Sequence, residues 1–193
     1  MQKPRRALNG RHCAVYSTIK RRILIPVAII GALTVVGAMP FLEEARAPLP
    51  DDVKADAIVV EKSIHRMSLF KDGELIRSYS VALGRGGPAP KSEEGDARTP
   101  QGTYVIDSRN RRSSFHRALH VSYPDATDVA AARTRGVNAG SDVMIHGIRK
   151  GLGWLGRLHR TLDWTAGCIA VTNREIDEVW RVVPNGTPIT IKP

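Results

Sequence analysis

The residues of this chain best suited to covalent chemistry are one cysteine, one histidine and the glycine beside each. The sharpest local sequence is Asp163-Trp164-Thr165-Ala166-Gly167-Cys168-Ile169-Ala170-Val171-Thr172-Asn173. A thiol attacks as its thiolate, and a neighbouring imidazole can take the proton. Gly167 beside Cys168 lets backbone N–H groups come close to a substrate. The best candidate imidazole is His146 in Met144-Ile145-His146-Gly147, at the end of an expected strand, where Gly147 again permits close backbone approach. The two residues are 22 positions apart, so no single helix or strand joins them and they must meet through the fold. On residue types alone, Cys–His nucleophilic catalysis stays open beside a buried structural thiol.

The compartment bears on that choice. Residues 1–22 hold seven of the chain's 29 basic residues and no acid, so the rest of the chain carries only +3 of the formal net charge of +10. A basic block of this kind is a topology signal, and its confinement argues against a nucleic-acid-binding face. Residues 23–42 (ILIPVAIIGALTVVGAMPFL) carry no charge. Twenty residues at about 1.5 Å each match the roughly 30 Å hydrocarbon core of a bilayer. The expectation is a transmembrane anchor with a cytoplasmic N-terminus, and a cleaved signal peptide is the alternative. Either places residues 43–193 outside the cytoplasmic membrane. Cys13 then lies in the cytoplasmic or removed segment, and Cys168 is a lone thiol in an oxidising compartment.

Residues 43–55, charged and with two prolines, read as a linker, and residues 56–193 as one globular domain. AIVVEK (57–62), MSLF (67–70) and LIRSYSVAL (75–83) form a meander whose Asp72-Gly73 pair suits a tight hairpin turn. Glycines and prolines from Gly84 to Gly95 mark a flexible loop. Further strands are expected at TYVID (103–107), Ala118–Tyr123, DVMIHG (142–147) and TPITI (187–191). Thr172 with Glu175 fits a capping box, and Ile176, Val179, Trp180 and Val183 give the following helix one apolar face. The pattern is mainly β with few helices.

With these motifs in place, residues from about 56 to 192 resemble the catalytic domain of the L,D-transpeptidase family. The resemblance rests on IVVEKS (58–63), YSVALG (79–84), EGDARTPQG (94–102), SYP (122–124), IHG (145–147) and DWTAGCIAVTN (163–173), in order along the chain. It implies a β-rich, sandwich-like fold and peptidoglycan stem peptides as substrate, with no cofactor and no metal. The matching cysteine would attack the carbonyl of the third stem residue, usually meso-diaminopimelate, and expel the terminal D-alanine. The thioester would pass to an amine of another stem or of a wall-attached lipoprotein, or to water. Carbapenem-type β-lactams would acylate the same thiol.

The resemblance also implies roles. Cys168 would form the acyl-enzyme, His146 would act as base, and the Gly147 carbonyl would orient the imidazole. The N–H groups of Gly167 and Cys168 would form the oxyanion hole. Thr165 would contact substrate or brace the loop, and Ser122 and Tyr123 would line the cleft. Two departures stand out: Ala166 where many members have a second histidine, and Ala170 where many have arginine. These leave open a hydrolase on the same substrate, either an L,D-carboxypeptidase or a peptidoglycan-lipoprotein amidase. A non-catalytic wall-binding module is the remaining alternative. Asp163 reads as a loop or substrate carboxylate, and the stretch Arg149–Arg160 as a solvated or lid-like loop over the cleft that carries His159. His116 and His120 have the spacing of a zinc pair without its usual context. Arg109, Arg111, Arg112 and Arg117 form a basic cluster, and Trp154 could stack on glycan.

Overall fold

The first hairpin follows from alternation and a single turn. In β1 (Ala57–Glu61) Ile58 and Val60 point into the core while Ala57, Val59 and Glu61 do not. A short 3-10 turn at Lys62–Ile64, closed by left-handed His65, leads into β2 (Arg66–Lys71), which pairs antiparallel with β1. Asp72 and Gly73, with φ of 54° and 78°, turn the chain into β3 (Glu74–Ser80). Two consecutive positive φ angles are what a two-residue hairpin matching the strand twist requires. This is a computed structural model of the protein, and residues 47–193 are the part it describes.

Five further strands complete the sheet: β4 (Gly102–Asn110), β5 (Ala118–Val121), β6 (Met144–His146), β7 (Ile169–Ala170) and β8 (Pro188–Lys192). The spatial order is β3-β2-β1-β8-β4-β5-β6-β7. The domain is mainly β, but it is one curled sheet rather than the expected sandwich. The reason lies in β4. Its first residues, Gly102–Val105, pair with β8, and its later ones, Ile106–Asn110, pair with β5 across a register shift between Ile106 and Ser108. One long strand thus serves both halves, and the sheet bends there instead of splitting. The curl brings the ends together: Ala82, just beyond β3, exchanges two backbone hydrogen bonds of 2.9 and 2.8 Å with Ala170 of β7.

Two helices accompany the sheet. The expected one, α2 (Asn173–Val182), begins at the Thr172/Glu175 capping box and buries Ile176, Val179 and Val182 against the core. Trp180 is only partly buried, and Arg109 stacks over its ring at 4.2 Å. Arg117 shares that ring and pairs with Asp177, so two members of the basic cluster are engaged. Sequence reading missed α1 (Ala126–Thr134), capped by Asp125 and Asp128. Its only buried residue is Ala132, so it carries no apolar stripe to announce it.

The described part of the expected linker lies against the domain. Leu49 N–H donates to Glu178 Oε1 at 2.8 Å, and the Leu49 carbonyl accepts from Arg181. Residues 1–46, including the apolar run 23–42, lie outside the described residues, and no described helix is long and apolar enough to cross a membrane.

Glu178 gathers buried Tyr79 (2.9 Å from its hydroxyl) and Arg77 (3.4 Å) as well as Leu49. Glu178→Ala would leave several partners unpaired and should cost about 2–3 kcal/mol, read as a lower midpoint in urea unfolding. An unchanged midpoint would show that this cluster adds nothing to stability.

Candidate active site

Two rungs of parallel ladder set the strand that follows Cys168 beside the strand that ends at His146. Ile145 stands opposite Ile169, and His146 opposite Ala170. Ile145 and Ile169 point into the core, so alternation turns His146 and Ala170 to the other face. Cys168 lies just before β7, two residues ahead of Ala170, and its thiol turns to the Asp142 carbonyl. Both residues directly flanking His146 are alanines, Ala118 on β5 and Ala170 on β7, which leaves the ring its space.

His146 is buried, and its Nδ1–H donates to the Gly147 carbonyl at 2.7 Å. The proton is then on Nδ1, and Nε2 keeps its lone pair. Burial pushes the His146 pKa down, opposed in part by this hydrogen bond. Gly147 is glycine for a packing reason. A Cβ there would lie 2.7 Å from Asn173 Oδ1 and 3.0 Å from Ile176 of α2. Its N–H donates to the carbonyl of Phe115 at 3.1 Å, while Asn173 accepts from Ile148 N–H at 2.8 Å. The orienting carbonyl is therefore wedged against α2. Phe115 and Asn173, which sequence reading missed, complete this support, and the Phe115 ring lies 4.5 Å from the imidazole.

The loop before Cys168 is braced by Thr165. Its buried hydroxyl donates to the Cys168 carbonyl at 2.7 Å and accepts from Gly167 N–H at 3.1 Å. Thr165 is thus spent inside the loop. The expected second oxyanion donor, the Gly167 N–H, is occupied in this geometry. Gly167 has φ of 126°, and a Cβ there would meet the Arg98 carbonyl at 2.7 Å. The half-buried Cys168 has its thiol 3.6 Å from the Asp142 carbonyl, to which it donates. Burial pushes this thiol's pKa up and the Asp142 carboxylate adds to the rise, while the Met144 backbone and Lys91 oppose it.

The remaining expected site residues divide by what they touch. Ser122 accepts from Val105 N–H at 3.0 Å and so joins β5 to β4. Tyr123 is buried, donates to the Ala139 carbonyl at 2.9 Å and stacks edge-on against Tyr104. Burial pushes its pKa up to about 12. These contacts tie both residues into the strand framework. Asp163 is a loop carboxylate: it accepts from Leu83 N–H at 2.7 Å and pairs with His65 at 3.0 Å. His116 and His120 turn to different acids, Asp177 and Asp107, and the described residues contain no three-residue cluster able to hold a metal. The end of the glycine-rich loop gathers around Asp96. Asp96 accepts from the N–H groups of Ser92, Glu93 and Arg98 and from Lys91, which outweighs the effect of burial and holds its carboxyl well below the usual range. The expected lid contains a 3-10 segment at Gly153–Arg160, in which His159 is buried rather than solvated.

Residues 55–191 match the L,D-transpeptidase catalytic domain family, YkuD. YafK of Escherichia coli (strain K12), whose L,D-transpeptidase name is itself provisional, is 30% identical over 112 residues. That stretch covers 57% of this chain and 38% of YafK, so the chain matches well under half the length of that curated relative. Among solved structures, Bd1075 of Bdellovibrio bacteriovorus superposes with a TM-score of 0.52 at 22% identity, over 76% of this chain and 50% of that one. The helical cell shape determining protein Pgp2 of Campylobacter jejuni superposes with a TM-score of 0.54 at 21% identity, over 74% and 49% of the two chains. Both likenesses concern the fold.

The raised thiol and lowered imidazole make a neutral pair at rest. Alkylation of Cys168 by iodoacetamide should therefore rise with pH through a step above the ordinary thiol range. Asp142→Asn removes a like charge and should move that step down. A thiolate plateau already present at neutral pH would contradict the neutral pair.

Proposed function

The chain belongs to the L,D-transpeptidase catalytic domain family, and from that premise we propose that it is a cell-wall acyltransferase with Cys168 as nucleophile and His146 as base. The observation that supports the reading is the β6–β7 pairing, which runs the strand after Cys168 beside the strand that ends in His146, whose Nδ1–H is already held by Gly147.

Each step has its group. Nε2 of His146 takes the thiol proton as sulfur bonds to the carbonyl carbon of the third residue of a tetrapeptide stem. Because both partners rest neutral, the proton moves as the bond forms. The oxyanion is met by the Cys168 N–H, and the Gly167 N–H joins it only when its bond to Thr165 opens. The imidazolium returns the proton to the departing amine of D-alanine as the C–N bond breaks. An acceptor amine then gives a proton to His146, attacks the thioester and releases the thiol. Water as acceptor gives the hydrolase instead. The Gly147 carbonyl keeps one tautomer throughout, so Nε2 is always the working nitrogen.

The substrate we assign is the peptidoglycan stem, with another stem or a wall-attached lipoprotein as acceptor. We place the domain outside the cytoplasmic membrane, with residues 23–42 as anchor or leader. That placement stands on the sequence alone.

Intact-mass spectrometry of the full-length protein with disaccharide tetrapeptide, with and without an amine acceptor, tests the proposal. A Cys168-dependent acyl adduct that passes to the amine is expected, as is a carbapenem adduct that Cys168→Ala abolishes. Product formed only through water would make the protein a hydrolase. Absence of any adduct or turnover in folded protein would remove the catalytic reading in favour of a wall-binding role.

A further inference from the structure

We propose that His159 is a positioning residue that holds Trp164 against His146 and thereby couples the segment 149–162 to the base. The proposal rests on the reading of His146 as base.

The segment is amphipathic in an unusual sense: most of its apolar side chains face outward. Leu152, Leu158 and Leu162 are exposed, and Trp154 is 76% exposed. Its turn is kinked at Gly156, where φ is 48° and ψ −126°. Several attachments hold the segment inward. Lys150 N–H donates to the Ser114 carbonyl, Gly153 abuts Asn173, Arg160 pairs with Glu175 of α2, and His159 meets Trp164.

The last of these reaches the reacting groups. Trp164 Nε1–H donates to His159 Nδ1 at 3.4 Å. The indole ring lies edge-on to the His146 imidazole at 5.7 Å and tilted against Phe115 at 5.9 Å. Phe115 packs against His146 as well, beside Trp164. The base is thus walled by two aromatic rings, and one of them is held through its indole N–H, a group that needs an acceptor when buried.

The contact also constrains His159 itself. Accepting at Nδ1 places its proton on Nε2, and Nε2 is buried with no hydrogen-bond partner in a residue only 8% exposed. A second proton could go only on Nδ1 and would break the bond to Trp164. Burial, then Arg160 beside it and His146 across from it, depress the His159 pKa to about 4, while Glu175 opposes them. The clasp therefore stays closed through the neutral range and opens in acid.

Full-length His159→Leu removes the acceptor, and His159→Asn restores an oxygen near the Nδ1 position. The first should lower kcat for acyl transfer by roughly 10- to 100-fold with KM little changed. It should also raise the pH at which His146 titrates, because a loosened Trp164 admits water and relieves the burial that depresses it. The ring nitrogens of His146 report that shift by NMR without any substrate, so the clasp can be judged even if the acyl-transfer reading fails. His159→Asn should behave like the unmodified protein. Trp164→Phe deletes the donor and should reproduce the Leu effect if His159→Leu does not fold. An unchanged His146 titration in both His159→Leu and Trp164→Phe, or an Asn variant as impaired as Leu, would overturn the proposal.

Discussion

Two rungs of parallel backbone pairing, Ile145 with Ile169 and His146 with Ala170, are the constraint on which the site depends. They hold a two-residue strand that has little stability of its own. Its neighbours supply the rest: the His146 carbonyl accepts from Val171 N–H at 3.0 Å, and Ala82 bonds Ala170 from the other side. Ile145 and Ile169, both fully buried, tie the ladder to the core through their other face. One face of the pair thus anchors, and the opposite face carries His146. The curl of the sheet makes this possible, because only by closing on itself does the sheet bring Ala82 to β7.

Around that ladder, several polar side chains of the expected site bond backbone groups. Thr165 closes the loop before Cys168, while Ser122 and Tyr123 secure strand ends and Asp163 binds the chain after β3. Asp96 and Lys62 pin the loop whose Arg98 carbonyl lies where a side chain at residue 167 would go. Lys62 is buried and donates to the carbonyls of Ala89 and Thr99 at 3.1 and 2.9 Å. The result is a site in which backbone positions are over-determined. Burial favours the neutral forms of both Cys168 and His146.

The local chemistry of Asp72-Gly73 and of Thr172 with Glu175 was legible in the sequence, since turns and caps depend on neighbouring residues alone. The cysteine, the histidine and their glycines were legible as types. Their meeting was not, because β7 is too short to show any alternation and is defined by partners far along the chain. The curled sheet in place of a sandwich depends on β4 running to Asn110, past its expected end at Asp107, into a polar, exposed stretch. The reasons for Gly147 and Gly167 were only half legible. Close approach was expected, but what approaches is α2 and the Arg98 carbonyl. Thr165 and Gly167 likewise looked available to a substrate until their mutual hydrogen bond was seen. His159 looked solvated among basic neighbours, and no local signal could have placed it beside Trp164.

The central claim is that His146 waits as a neutral imidazole, protonated at Nδ1 by virtue of the Gly147 carbonyl, with its Nε2 free to accept the thiol proton. The most direct measurement is the ring-nitrogen NMR spectrum of His146 in the full-length protein, followed as a function of pH. The account predicts a single neutral tautomer with the proton on Nδ1 at neutral pH, protonating only below the ordinary histidine range. An imidazolium persisting at neutral pH beside a cysteine thiolate, or a proton residing on Nε2, would contradict it.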